Sequence, residues 1–590
     1  MNNKPSELEK IKENSNYLRG TINESLLDEL TGSIIPEDAQ ILKFHGSYQQ
    51  YDRDLESERR KQKLEPLYQF MIRIRAAGGI TTMDQWLALD KLADEYANST
   101  LKLTTRQAFQ LHGVFKRNLK DTIRKINDAI MTTISACGDV NRNVMCNPNP
   151  YHSYVHAEVL EASRQITIHL TPKTTAYHEI WLNKRLVAES HLDDGSEKDK
   201  SELSSDQKNA SEENKPKSNV DHEPLYGKTY LPRKFKIALA IPPYNDTDIF
   251  ANDLGFIAIE KDKKLTGYNV VVGGGMGTTL ENKNTYPRLG SVIGFIPKDK
   301  IVEVSEKVVA IQRDHGNRSD RKVARLKYTI DRLGLDWFRK ELNERLGWAL
   351  QDPKTYKFTR NGDLYGWHKD VHNVWHFTMF VENGRVRDTE NIQLKSCLRE
   401  IAKIHKGDFR LTGNQNLVIG NVSESSKPAI NNLLKKYKVL ANQKKSGLRL
   451  NSLACVALNT CGLAHADAER YLPSLIDKID AILERNGLMK EDIIIRMTGC
   501  PNGCARPYLG EIGFVGRAPG RYNMYLGAGF SGDRLNKLYK EMLNEQEILA
   551  ELETIISSYA NDKDKGERFG DFVIRKGIVT EVREGKQVHQ

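Results

Sequence analysis

The strongest constraint on how this chain can fold is that it carries one long pattern twice. Leu103-Thr104-Thr105-Arg106-Gln107-Ala108-Phe109-Gln110-Leu111 is matched by Leu411-Thr412-Gly413-Asn414-Gln415-Asn416-Leu417-Val418-Ile419. Each is followed by a helix-like stretch, then by 141–150 in the first copy and 451–461 in the second. An apolar strand ending in a turn comes next, 235–243 and 492–504, then a Gly-Phe step, Gly255-Phe256 and Gly513-Phe514. Each copy ends in a Tyr-Asn-x-x-x-Gly-x-Gly strand, at Tyr268 and Tyr522. The repeat is far too long for a solenoid. An α+β protein of two duplicated halves is expected, packed about a pseudo-two-fold axis with a crevice between them for a large ligand.

Length and composition fit that picture. At 590 residues the chain is too long for one core. Its 39% hydrophobic and 28% charged content is that of a folded globular enzyme and excludes disorder throughout. No apolar run reaches membrane-spanning length. The first nineteen residues mix Glu and Lys around no apolar core, unlike a signal or transit peptide, so a cytoplasmic protein is expected. One stretch, 193–222, is almost wholly Ser, Lys, Glu, Asp and Asn and reads as a disordered insertion inside a domain. The net charge of +10 is modest for this size and by itself decides no partner.

Seven cysteines, sparse and odd in number, argue against a disulfide framework. Cys137, Cys146 and Cys397 are scattered and read as buried small residues. Cys455, Cys461, Cys500 and Cys504 fall within 50 residues as C-x5-C and C-x3-C. Between the pairs, Leu472, Leu475, Ile476, Ile479, Ile482 and Leu483 repeat at helical spacing, and Gly487 ends that helix. The second pair leaves a strand through the turn Thr498-Gly499-Cys500-Pro501-Asn502-Gly503-Cys504. Helix and strand can return both pairs to one corner. A cubane cluster needs four thiolates and close backbone N–H groups, which Gly499 and Gly503 permit. Structural zinc favours shorter spacings. The spacing alone leaves cluster, zinc and free thiols open.

The flanking residues go further. Asn451-Ser452-Leu453-Ala454-Cys455, Thr460-Cys461 and the 498–504 turn together resemble the cluster signature of the sulfite and nitrite reductase family. The resemblance continues through Asn16-Tyr17-Leu18-Arg19-Gly20, Phe44-His45-Gly46-Ser47-Tyr48-Gln49-Gln50, Asn141-Arg142-Asn143-Val144, Leu231-Pro232-Arg233-Lys234-Phe235-Lys236, His405-Lys406-Gly407-Asp408-Phe409-Arg410 and Gly570-Asp571-Phe572. It covers nearly everything except the polar insertion. Ala505 stands where the family often has Gly, and Gly462 where Pro or Ala follows the second cysteine; neither removes a ligand.

The resemblance implies three domains around a central cofactor crevice: a donor-contacting N-terminal extension at 1–69, ferredoxin-like halves of domain 1 at 70–135 and 367–440, domain 2 at 136–366, and a cluster-binding domain at 441–590. It implies that the four cysteines hold a [4Fe–4S] cluster, with Cys504 also ligating the iron of a sirohaem. Arg73, Arg142, Lys234 and Lys236 then correspond to the sulfite-binding cations. Arg and Lys suit this task, one offering forked donors to oxyanions and the other a proton. Sirohaem has eight carboxylates; Arg106, Gln110, His112 and Arg233 are the candidates to meet them, with Arg325, Lys327 and Gln415 behind. His112 reads equally well as a core histidine. The string Gly273-Gly274-Gly275-Met276-Gly277 lacks a nucleotide-binding spacing and suggests close backbone packing against the cofactor.

The implied activity is six-electron reduction of sulfite to sulfide in cysteine biosynthesis. No flavin or nicotinamide fingerprint is evident, so NADPH would act through a flavoprotein subunit, with ferredoxin as the alternative donor. A sirohaem nitrite reductase shares the cofactors. A metal-stabilised nucleic-acid-binding module, the reading from another class, is opposed by scattered basic residues and poor zinc spacing.

Overall fold

The computed structural model describes residues 4–150, 153–182 and 223–590. The insertion expected at 193–222 lies outside them. Four sheets carry the chain. In the first, Ser47–Tyr51, Tyr68–Ile74, Phe109–Val114, Leu101–Leu103 and Arg385–Val386 lie side by side. The second orders Gly366–Lys369, Trp375–Met379, Leu417–Val422, Asp408–Leu411 and Ile80–Thr82. Each of these halves therefore lends a strand to the other: Arg385–Val386 pairs with Leu101–Leu103, and Ile80–Thr82 with Asp408–Leu411. The repeat alone does not reveal that exchange. Ser47–Tyr51, expected in the N-terminal extension, pairs along its full length with Tyr68–Ile74.

Alternation along the strands decides what faces the crevice. Phe70, Ile72 and Ile74 are fully buried on one face, which turns Arg73 to the other. Phe109 and Leu111 are likewise buried, turning Gln110 and His112 to the face of Arg73. Arg73 lies opposite Gln110, Gln110 opposite Lys102, and Lys102 opposite Arg385, a polar row across four strands. On the apolar face Trp86, from helix Met83–Tyr96, meets Phe109 at 5.8 Å and Phe409 of the second half at 4.9 Å.

The other two sheets are copies of one design. Ile237–Ala240 runs parallel to Leu254–Lys261, which pairs antiparallel with Lys264–Val272 and then Ser291–Pro297. Ile495–Thr498, Ile512–Ala518, Arg521–Leu526 and Lys537–Leu543 repeat that order and polarity. The second copy adds Ser452–Ala454 at its parallel edge. In the first, only the parallel bridges Asn141–Phe235 and Met145–Ala238 stand at the same edge. Helix Leu472–Arg485 buries the six apolar residues that its spacing predicted, and Gly487 follows in the left-handed region.

Candidate active site and cysteine cluster

The two loops of the repeat meet beneath the cysteine turn. Gln107 and Gln415 both adopt positive φ, 53° and 68°. In each loop a threonine hydroxyl caps the turn: Thr104 Oγ1 accepts from Arg106 N and Ala108 N, and Thr412 Oγ1 from Asn414 N and Asn416 N. Arg506, just past Cys504, ties both loops down, donating to Thr105 O at 2.9 Å and Gly413 O at 2.7 Å. Its remaining nitrogen and Arg496 share the buried carboxylate of Asp248. Thr105 Oγ1 in turn donates to Cys504 O at 3.1 Å.

Cys455, Cys500 and Cys504 leave the parallel edge strands of the last sheet. Cys455 follows Ser452–Ala454 and donates its N–H to Met497 O; Cys500 and Cys504 lie on the turn after Ile495–Thr498. Gly499 has no room for a side chain: a Cβ there would stand 2.4 Å from Ala466 O. Gly499 N–H points at Cys455 Sγ at 3.4 Å, and the Asn502 amide at Cys500 Sγ at 3.5 Å. Burial, together with the nearby sulfurs of Cys504 and Cys500, pushes the Cys455 thiol well above its ordinary value. Burial and Cys504 push Cys500 up to about 12. Thiols that oppose each other's ionisation need a cationic partner to become thiolates. A multi-iron cluster, with sulfur-directed N–H donors already in position, fits this donor set.

Cys504 differs from the others: it is exposed, while the residues on either side, Gly503 and Ala505, are buried. Lys234 and Lys236 lie within its electrostatic reach. They flank Phe235, which bridges to Asn141; the strand expected to carry both lysines, Ile237–Ala240, begins just beyond them. Burial, then Arg233 and Arg142, pulls Lys234 well below its ordinary value; burial, then Arg106 and Lys234, does the same to Lys236. Among the described residues no carboxylate lies within ion-pair distance of Arg73, Arg106, Arg142, Lys234 or Lys236. So much unpaired, half-sheltered positive charge is costly without an anion to receive it. A macrocycle with eight carboxylates, together with a dianionic substrate, fits this face.

The remaining candidates divide by what already occupies their donors. Arg106 spends Nη1 on Asn252 Oδ1 at 2.8 Å and Nη2 on the carbonyls of Asn143 and Ile237, leaving its buried Nε without a partner. With its amide assigned to satisfy both neighbours, Gln110 turns its carbonyl to Arg73 Nε at 3.1 Å and its NH2 to His112 Nε2 at 3.3 Å. Burial and the neighbouring Arg385 hold His112 far below its ordinary value, so it is neutral, and its buried Nδ1 has no partner. Arg233 stands 4.0 Å from Asp139. Arg325 is paired bidentately with Asp253, at 2.9 and 2.7 Å. Lys327 spends its three donors on the carbonyls of Gly275, Gly277 and Tyr286. Gln415 is buried under Leu103 O with its own carbonyl unpartnered. Lys327 thus braces the glycine string rather than offering a free charge. That string packs on the cysteine turn: Thr278 N–H donates to Pro501 O at 2.9 Å, and Gly503 leaves no slack over Met276.

Three contacts escape a reading of the sequence. Cys137 does more than fill space, because its sulfur accepts Arg73 Nη1 at 2.8 Å. Tyr48 lies beside the Arg73 guanidinium, 5.9 Å from its ring, and within electrostatic reach of Arg142. Glu469 N–H donates to Cys455 O while its carboxylate takes Lys102 and Arg385. Cys137 and Tyr48 stand in or beside recognisable motifs, which was the available signal; Glu469 stands in none.

Comparison with known proteins agrees with this geometry. The nitrite and sulphite reductase 4Fe-4S domain matches residues 161–350 and 449–585. The nitrite/sulfite reductase ferredoxin-like half domain matches 62–129 and 368–437. The chain is 57% identical to the sulfite reductase (NADPH) hemoprotein beta-component of Anoxybacillus flavithermus, over 99% of this chain and 98% of that one. Identity to its counterpart in Geobacillus kaustophilus is 57%, with the same coverage. For that of Staphylococcus saprophyticus it is 55%, again over 99% and 98%. The solved NirA protein of Mycobacterium tuberculosis has the same fold, with a TM-score of 0.73 at 23% identity over 96% of this chain and 95% of that one. With both of its domain types present twice, and relatives matching end to end, the chain belongs to the nitrite and sulphite reductase family.

Proposed function

We propose that this chain is the haem-bearing component of an assimilatory sulfite reductase, converting sulfite, six electrons and eight protons into hydrogen sulfide and three waters. The observation that carries the reading is that the exposed Cys504 lies within electrostatic reach of Lys234 and Lys236, cations that no carboxylate among the described residues pairs. Cys455, Cys461, Cys500 and Cys504 would hold the [4Fe–4S] cluster, with Cys504 also facing the sirohaem. The bound pair supplies the electrons and the metal that holds sulfur. The chain supplies the rest. Arg73 and Arg142 offer forked donors to the oxyanion, and Lys234 and Lys236, kept easy to deprotonate, carry protons toward departing oxygen. Arg106, Gln110, His112 and Arg233 have the atoms to meet the macrocycle's carboxylates; Arg325, Lys327 and Gln415 hold the walls.

The names of the relatives, a beta-component dependent on NADPH, support electron delivery by a separate flavoprotein. Arg53 donates to the carbonyls of Cys461 and Ala464, which makes the N-terminal segment part of the face electrons would cross. Among the described residues no helix is long and apolar enough to cross a membrane. The test is sulfide formation from sulfite with a reduced dye. Wild-type protein is expected to turn over, and Cys504→Ser to fold but make no sulfide. Wild-type turnover of nitrite alone, or full sulfide production by the variant, would end this reading.

A further inference from the structure

The polar row across the first sheet runs past the substrate face to a second charged site. Beyond Arg73 and Gln110 it reaches Lys102 and, directly opposite on the strand lent by the second half, Arg385. Like charges set opposite each other repel. Glu469 lies between them, accepting Lys102 Nζ at 2.7 Å, Arg385 Nε at 2.6 Å and Arg385 Nη2 at 3.1 Å. Lys102 is 1% exposed, and its ammonium is also capped by Asn383 O. Two cations and one carboxylate leave a single positive charge buried here. Such a charge is expensive unless an anion lies nearby. The nearest candidate is the Cys455 corner: Glu469 N–H donates to Cys455 O at 3.1 Å, and Lys102 is within electrostatic reach of the Cys455 sulfur. Asn383 closes the ring by donating to Glu469 O at 3.0 Å.

We propose that Lys102 and Arg385, clamped by Glu469, are positioning residues that set the reduction potential of the cluster at Cys455, their uncompensated charge favouring its reduced state. The inference rests on the reading of the four cysteines as [4Fe–4S] ligands. Reduction adds negative charge to the cluster, so a fixed positive neighbour in a low-dielectric setting stabilises it. The site unites both ferredoxin-like halves with the cysteine loop, which makes the potential a property of the assembled fold.

The experiment is an EPR-monitored redox titration of holoenzyme variants, with iron content measured alongside. Lys102→Met removes the positive charge and is expected to lower the midpoint. Glu469→Gln removes the negative charge and is expected to raise it. Each shift should be about tenfold in the ratio of reduced to oxidised cluster at fixed potential, or 59 mV for one electron. Lys102→Arg should stay near wild type. A purely structural strut would move both variants the same way or not at all, and either result overturns the proposal. If Lys102→Met fails to retain iron, Arg385→Gln removes a positive charge from the position directly opposite, and an unmoved midpoint there is equally fatal. Wild-type holoenzyme without an iron–sulfur signal would instead defeat the cluster reading itself.

Discussion

Asp248 offers the sharpest test of how the site is held together. Its carboxylate is 1% exposed and takes Arg496 Nη1 at 2.7 Å as well as Arg506 Nε. Arg506 then reaches Thr105 O and Gly413 O, so one carboxylate orients the residue that pins both repeat loops beneath Cys504. In Asp248→Asn the side chain keeps its size and two arginines lose their counter-charge in the interior. Breaking a buried pair from one side costs about 3–5 kcal/mol. If opening of the cysteine turn is the unit that loses this energy, its open population rises by about 10²- to 10⁴-fold, at 1.36 kcal/mol per tenfold. Cys500 is 5% exposed, so its alkylation in apoprotein, read by peptide mass, reports that opening. The expected result is labelling faster by that factor, with Cys397 unaffected. The sign with pH is fixed too. Burial alone would raise Asp248, but Arg496 and Arg506 outweigh it and hold the carboxyl below its ordinary value. Its contribution is complete above the unfolded pKa of about 3.9 and fades as pH falls through the folded value. Wild type and variant should therefore converge at low pH. Labelling rates within threefold of each other at pH 7 would refute the argument.

Lys236→Met, which removes a cation from the Cys504 face, should cost about 10²-fold or more in sulfide turnover, the usual scale for losing a preorganised donor, with iron and haem content unchanged. Loss of cofactor instead would reassign Lys236 from catalysis to binding. Glu511 is fully buried, and burial outweighs the N–H groups of Gly570 and Ile494 to push its carboxyl up to about 7. A raised carboxyl binds its proton more tightly when folded, so its contribution is present below about pH 4.5 and lost as pH rises toward 7. The 2.5-unit difference from 4.5 corresponds to about 3 kcal/mol as an upper limit, and denaturation midpoints between pH 5 and 8 should be flatter in Glu511→Gln.

The sequence was most legible where local pattern and chemistry coincide. Helix Leu472–Arg485 could be read residue by residue because one buried face fixes its period. The turn carrying Cys500 and Cys504 could be read from glycines that the packing against Ala466 and Met276 requires. What could not be read depends on partners far away in the chain. Lys327 looks like one more cation in a basic run, yet three carbonyls from another loop absorb it. Arg325 is spent on Asp253, 72 residues away. Cys137 resembles any buried small residue until Arg73 is seen to rest on it. The exchanged strands Ile80–Thr82 and Arg385–Val386 are too short to announce their own partners.

Duplication explains why one site serves a chain with two halves. The capped loops are built alike, with Thr104 and Thr412 making the same hydrogen bonds, but the third position is Arg106 in one and Asn414 in the other. Arg106 donates to the carbonyls of Asn143 and Ile237, whereas Asn414 donates to Asn361 O and to the Asp363 carboxylate. At the sheets the asymmetry runs the other way: cysteines follow the edge strand Ser452–Ala454, while the matching edge of the first copy offers only Asn141 and Met145 bridges. One copy therefore contributes the positive wall and the other the sulfurs, and Asp248 of the first grips Arg506 of the second to bring them together. Neither half contains a complete set of groups. The most buried ion pair of the site, Asp248 with Arg496, crosses between the two copies.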